Sequence, residues 1–273
     1  MPLVLMYITN NPEVALIAEK NGVDRIWIDL ETLGKAERQG NMDTVKSQHS
    51  ISDIAKIKPL LTKAEMLVRV NPINEKSKEE ISKVIDAGAD AIMLPMWKSA
   101  EEVSKFLSYV DNRAKAVLLL ETKEAVECLA EVLNKGGFQE IHIGLNDLHL
   151  SYGQKFMFEL LSNGTVENLC KQISQAGISY GFGGIARLGM GALPAEKVIM
   201  EHYRLGSTRA ILSRSFCNYE KCDSLAEVEK VFSEGMKKLR DYEQYMSKAS
   251  FDDFKKNQQE VIELVDKIVK SIN

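Results

Sequence analysis

Ala116-Val-Leu-Leu-Leu-Glu121-Thr122 is the stretch on which the fold turns: five apolar residues in a row, a carboxylate, then a threonine that opens the helical run Lys123–Leu133. An apolar run this short and continuous reads as a strand buried on both faces, and the charged residue marks where it surfaces. Outward from it in both directions the same unit repeats. Strands are predicted over Leu3–Ile8, Arg25–Leu30, Glu65–Val70, Ala91–Leu94, Ala116–Leu120, Glu140–Gly144, Tyr180–Ile185 and Arg209–Leu212. Helical stretches follow at 11–20, 52–61, 78–86, 100–110 and 123–133, with a further helical region ending near Gly177. Glycines recur just past the helices, at Gly22, Gly88, Gly136, Gly177 and Gly206, where a left-handed C-terminal cap is wanted.

Strands alternating with helices argue for parallel units, so the fold class is α/β. Eight such units in a chain of 273 residues favour a closed (β/α)8 TIM barrel, which needs roughly 250 residues, over a doubly wound open sheet. The barrel domain is expected over 1–221. From 222 to 273 the pattern turns charged and helical, with Val261, Leu264, Val265, Ile268 and Ile272 on one stripe. This C-terminal extension is expected to pack on the barrel or on a neighbouring subunit, which makes a homo-oligomer the expectation.

Charged residues make up 27% of the chain and the net charge is −4. Acidic and basic residues are interleaved, so there is no electrostatic case for nucleic acid or an anionic membrane. Cys128, Cys170, Cys217 and Cys222 include no CxxC pair, the first residues lack the basic region of a signal peptide, and no apolar run approaches membrane-spanning length. A soluble cytoplasmic protein with reduced thiols is expected.

A parallel barrel aims the C-terminal ends of its strands at one mouth. Arg69, Glu121 and Asp147 close the third, fifth and sixth units. Two hard oxygen ligands plus a guanidinium suit a divalent metal holding a carbonyl-bearing anion, so an enzyme is the leading reading. Plainer roles stand beside it: Glu121 as a structural ion-pair partner, Asp147 as a helix cap, Arg69 as a bridge to Asp29. His142 alternates with Ile141 and Ile143 and reads as a hydrogen-bonded structural histidine; His149 has no partner at metal-ligand spacing. Trp97 and Tyr152 line the mouth or serve packing.

Five segments, Ile28-Asp-Leu-Glu31, Val68-Arg-Val-Asn-Pro72, Ala87-Gly-Ala-Asp-Ala-Ile-Met-Leu-Pro-Met96, Leu120-Glu-Thr-Lys-Glu-Ala-Val-Glu127 and Ile143-Gly-Leu-Asn-Asp-Leu148, together resemble the HpcH/HpaI aldolase/citrate lyase family in order and spacing. The resemblance implies a phosphoenolpyruvate/pyruvate-type barrel that binds Mg2+, Mn2+ or another divalent metal. It implies Glu121 and Asp147 as metal ligands and Arg69 as the catalytic residue that stabilises an enolate oxygen. The expected activity is a metal-dependent carbon–carbon lyase, an aldolase acting on a 2-keto acid with an aldehyde partner.

Three departures from the family pattern matter. Where the aldolases usually place a histidine base after the second strand, this chain reads Asp29-Leu30-Glu31-Thr32, and Thr32 is no base near neutral pH. His49, in the long polar stretch with Arg38, Asp43 and Lys46, is the substitute candidate. Asn146 precedes Asp147 where a small or acidic residue is usual, and is expected to face the ligand together with Asp29 and Glu31 or to hold the turn. The seventh strand is rich in glycine. Gly183, Gly184, Arg187 and Arg214 stand where barrels often bind phosphate, so the substrate is expected to carry a phosphate or second anionic group. Two alternatives stay open: a citrate lyase β-type CoA-thioester lyase, and a non-catalytic metabolite-binding barrel.

Overall fold

Parity within each strand builds the barrel. The computed structural model describes residues 1–34 and 48–272, so Arg38, Asp43 and Lys46 lie outside the described residues. Eight strands, β1 (Val4–Ile8), β2 (Arg25–Asp29), β3 (Glu65–Arg69), β4 (Ala91–Leu94), β5 (Lys115–Leu120), β6 (Glu140–Ile143), β7 (Ser179–Ile185) and β8 (Arg209–Leu212), pair in chain order. All pairs are parallel, and β8 closes on β1 with Val4 opposite Arg209. The architecture is the expected α/β closed barrel, and each strand begins and ends within a residue of its predicted bounds. The predicted helix 123–133 is two, Lys123–Glu127 and Leu129–Lys135, because Cys128 leaves helical backbone values at φ −98 and ψ 7.

Successive side chains along a strand point to opposite faces, so every strand feeds two cores. Inward positions form an apolar plug of Met6, Trp27, Leu67, Ala91, Met93, Val117 and Leu119, with Ile8 and Ile211 against it. Outward positions such as Ile26, Ile28, Val68, Ile92, Leu118, Leu120, Ile141 and Ile143 meet the surrounding helices in the larger core. His142, between Ile141 and Ile143, therefore faces inward; its Nε2 donates to the Gly183 carbonyl at 3.1 Å. Burial lowers its pKa to about 4 against the opposing effect of that hydrogen bond.

Below the plug, at the N-terminal end of the strands, the inward residues are charged. Arg25 forks onto Glu140 (Nη1 to Oε2 2.5 Å, Nη2 to Oε1 2.7 Å) and its Nε reaches Glu65 at 2.8 Å. Arg209 adds a contact to Glu140 at 2.8 Å, and Lys115 pairs with Glu65. Burial alone would raise the pKa of Glu140; the two guanidiniums override it and hold the carboxyl at about 2.

The helix Leu225–Met246 packs on the helices Pro12–Lys20 and Ala195–Arg204; the helix Phe251–Ser271 packs on Ala195–Arg204 and Glu159–Ser162. Val261 and Val265 are buried there, with Leu264 packed against the same core, so the apolar stripe is covered within the chain. Glu243 accepts the Leu3 amide at 2.7 Å, and Arg240, bonded to Glu243 at 2.7 Å, donates to the Leu3 carbonyl at 2.9 Å. The C-terminal extension thereby clasps the start of β1. Among the described residues no helix is long and apolar enough to cross a membrane, and all four cysteines are free thiols.

Candidate functional site

Two residues beyond Trp27, Leu67, Leu119 and His142, parity brings the next inward positions: Asp29, Arg69, Glu121 and Gly144. They form the floor of a cavity of about 610 Å³ at the C-terminal end of the strands. Asp29 and Arg69 stand opposite each other across β2 and β3. The Arg69 Nε and Nη2 donate to the two Asp29 oxygens at 2.8 and 2.9 Å, and Nη1 lies 3.2 Å from Glu31. Its guanidinium also sits 5.3 Å above the Trp27 ring. Burial would favour loss of the Arg69 proton, but the charges of Asp29 and Glu31 outweigh it and raise the pKa. Arg69 is thus a fixed positive charge with N–H groups to spare at Nη1 and Nη2.

Glu121 is buried beside it. The Met96 amide donates to Glu121 Oε1 at 3.1 Å. Met96 stands at φ 54, a left-handed value that costs about 1–2 kcal/mol for a residue with a Cβ; that conformation turns its N–H toward the carboxylate. On the other side is Gly144, where a Cβ would fall 2.8 Å from Glu121 Oε2 and 2.9 Å from its Cβ. Only a glycine leaves the carboxylate its place. Gly144 is also the N-cap of the short helix Leu145–Ser151, which carries Asp147 in its first turn, where the helix dipole favours a negative charge. Burial and the nearby charge of Asp147 push the Glu121 pKa well above the usual carboxylate range, against the pull of Arg69.

The donor set suits a hard cation. Asp29 and Glu31 pair with Arg69, and Glu121 and Asp147 line the same cavity, all of these carboxylates buried. Asp29 and Glu31 are committed to Arg69, and after burial the charge of Asp147 is the next cause that raises the Glu121 pKa. A divalent ion between those two would relieve the repulsion, and two carboxylate ligands leave the remaining coordination to water and substrate oxygens. Among the described residues no three metal-ligating side chains converge.

The remaining expected residues divide. Asn146, Gly183, Gly184 and Arg214 line the cavity with Asp29, Arg69, Glu121 and Asp147. At Gly183 (φ 52) a Cβ would lie 2.7 Å from Leu145 Cδ1, so the backbone of β7 approaches the Asp147 helix directly. Glu31 acts through Arg69. Arg187 does not line this cavity; it lines a second one alongside. Trp97 is buried in the outer core, and Tyr152 lines neither cavity; the aromatic floor is Trp27. His149 is held inside its own helix, Nδ1 against the Leu145 carbonyl at 3.2 Å.

His49 does reach the mouth. The Asp29 backbone N–H donates to His49 Nδ1 at 2.9 Å. A neutral imidazole has one such lone pair, so in that form the other nitrogen, Nε2, carries the proton. Thr32 is exposed and tied to Asn71, whose Oδ1 accepts its amide at 2.9 Å. Sequence reasoning missed Met96, Gly144 and Trp27. The first acts through its backbone, the second through a missing side chain, and the third through parity that a continuously apolar strand conceals.

The model of the HpcH/HpaI aldolase/citrate lyase family matches residues 3–180 of this chain. A hydroxypyruvate/pyruvate aldolase of Rhizorhabdus wittichii is 25% identical over 205 residues, 59% of this chain and 80% of that protein. Among solved structures, an HpcH/HpaI aldolase from Desulfitobacterium hafniense superposes with a TM-score of 0.59 at 16% identity, covering 88% of this chain and 93% of that one. An HpcH/HpaI aldolase/citrate lyase family protein from Burkholderia cenocepacia gives 0.60 at 13% identity over 89% and 95%. The citrate synthase SbnG gives 0.58 at 16% identity, again over 89% and 95%. At these identities the solved structures speak for the fold.

Proposed function

The chain belongs to the HpcH/HpaI aldolase/citrate lyase family, and we propose that it is a divalent-metal-dependent aldolase that makes or breaks a carbon–carbon bond next to the carbonyl of a 2-keto acid, through a pyruvate-like enolate. The observation that carries this reading is that Glu121 and Asp147 line one cavity beside Arg69, which Asp29 and Glu31 lock in place. The curated relative, a hydroxypyruvate/pyruvate aldolase, points to the same substrate class.

Glu121 and Asp147 would hold Mg2+ or Mn2+. When bound, the ion supplies Lewis-acid polarisation of a keto oxygen. Arg69 contributes a preorganised charge for the oxygen on which negative charge develops; because Asp29 and Glu31 lock it, no reorganisation is needed as that charge appears. The apolar plug beneath the cavity closes it to water from the far end of the barrel, which keeps the local dielectric low and the Arg69 charge effective. Met96 and Gly144 keep Glu121 in register with Asp147.

NMR of pyruvate in D2O with the purified protein tests this directly. Methyl-signal loss that requires added Mg2+ or Mn2+, and that falls roughly 100–1,000-fold in Glu121→Gln, is the expected result. Metal binding shown by titration with no exchange would overturn the pyruvate-enolate reading. Cleavage of malyl-CoA under those conditions would move the chain to the thioester lyases.

A further inference from the structure

The wall beside the Asp147 helix is β7, a strand with little side chain to hold it in place. It reads Ser179-Tyr-Gly-Phe-Gly-Gly-Ile185, and its register against β8 shifts between Gly181 and Gly184. Glycines inside a strand bring backbone freedom and nothing to pack. Gly183 stands at φ 52, and a Cβ there would lie 2.7 Å from Leu145 Cδ1. Bare backbone of β7 thus approaches the first residue of the helix Leu145–Ser151. Where Gly183 sits decides where Leu145, and two residues on Asp147, can sit.

Two buried rings grip this strand from opposite faces. From the helix layer, His202 stacks on Phe182 with centroids 3.8 Å apart, its Nδ1 2.7 Å from the Ser207 hydroxyl. From inside the barrel, His142 Nε2 donates to the Gly183 carbonyl at 3.1 Å. His142 stands opposite Leu119, in the apolar layer that also holds Trp27 and Leu67. Its Nδ1 is buried and has no hydrogen-bond partner among the described residues. An apolar residue of similar size would not carry the cost of that unmatched acceptor. The ring is shut off from solvent, so what the position gains in return is its bond to Gly183. A residue that breaks a local rule directly beneath a mouth marks a place where function sets the choice.

We propose that His142 is a positioning residue of the mouth: by holding the Gly183 carbonyl it fixes the β7 backbone against Leu145, and so sets the place of Asp147 relative to Glu121. The path is short. It runs through one hydrogen bond, one close backbone approach and one turn of helix. That Asp147 and Glu121 would hold a metal rests on the reading above; the hold of His142 on β7 does not.

Hydrogen exchange read by mass spectrometry on the full-length chain, with no metal added, tests the hold directly. In His142→Leu, peptides covering 181–186 and 144–151 should exchange roughly 2–10-fold faster, as one lost hydrogen bond allows, while β2 to β4 keep wild-type rates. His142→Gln returns an N–H near the reach of Nε2 and should recover most of that protection; melting curves check that both variants fold. Calorimetric titration of Mn2+ then reads the mouth. Affinity should fall roughly ten-fold in His142→Leu, the low end for residues that support metal ligands from outside, and stay closer to wild type in His142→Gln. Leu145→Ala cuts the same path one link further on and keeps the test open should His142→Leu fail to fold; it should weaken Mn2+ by a similar factor. Wild-type exchange rates in both segments, faster exchange spread over the whole barrel, a Gln variant no better than the Leu variant, or unchanged Mn2+ affinity in a folded His142→Leu or Leu145→Ala overturns the proposal. A wild-type chain that binds no Mn2+ sinks the metal reading instead, while exchange at 144–151 still judges His142.

Discussion

The two ends of this barrel are built from the same geometry and do opposite things with charge. At the N-terminal end Arg25, Arg209 and Lys115 meet Glu140 and Glu65, and the Glu140 carboxyl is held at about 2. At the C-terminal end Asp29 and Glu31 pair with Arg69, and the buried Glu121 carboxyl beside them is driven well above its usual range. One apolar layer separates them. Neutralised charge at the closed end is what stability asks of a buried network; at the open end a buried carboxylate whose pKa is pushed up is the mark of a candidate functional site. Perturbed pKa values occur at both ends, so the sign of the perturbation distinguishes support from function.

The comparison can be broken most forcefully at the closed end. Glu140→Ala leaves two buried guanidiniums without their carboxylate and should lower unfolding stability by about 3–5 kcal/mol, read from urea denaturation, while the folded fraction keeps its activity per molecule. A loss of activity with unchanged stability would mean that the lower cluster is not structural. Asp147→Asn is the counterpart above. Metal-dependent pyruvate exchange should fall roughly 100-fold or more while the variant still folds. A falling melting temperature with intact exchange would reverse the assignment of the two ends.

The smallest effect concerns acid. His142 and His202 are buried, and burial lowers their pKa values to about 4 and about 3. Between pH 6.5 and 4 the unfolded chain takes up protons that the folded chain refuses, so their contribution is complete above pH 6.5 and is lost on acidification. Glu140, depressed instead, keeps its contribution until the pH drops below the ordinary carboxylate range. Denaturation in a Glu121→Gln background, which removes the raised carboxylate, should therefore show stability declining already between pH 6.5 and 4.5, by on the order of 1–3 kcal/mol. A flat profile across that window would show that these rings titrate normally.

Strand boundaries were legible because a strand buried on both faces has to be apolar throughout and the residue that leaves it is polar; Glu121 and Arg69 announce themselves that way. The same continuity hides which apolar residues face inward, so Trp97 stood in the reading where Trp27 stands in the molecule. Arg187 was expected in the mouth. The register of β7 against β8 shifts between Gly181 and Gly184, and a shifted register changes where the residues that follow emerge. His49 was a candidate by type and place; that the Asp29 amide points at its Nδ1 could not be read from the sequence. Met96 and Gly144 contribute a backbone twist and an absent methyl group, and neither leaves a chemical signature in a sequence.

The clasp between Leu3 and Glu243 spans 240 residues, and β1 has no second neighbour until β8 exists. On a ribosome adding roughly 5–20 residues per second, β8 would be made roughly 10–40 s after β1. During that interval its edge stays open, a row of unpaired amides and carbonyls beside apolar side chains. A barrel that is compact once finished is therefore most exposed to misassociation while it is being synthesised, and the strand at risk is β1.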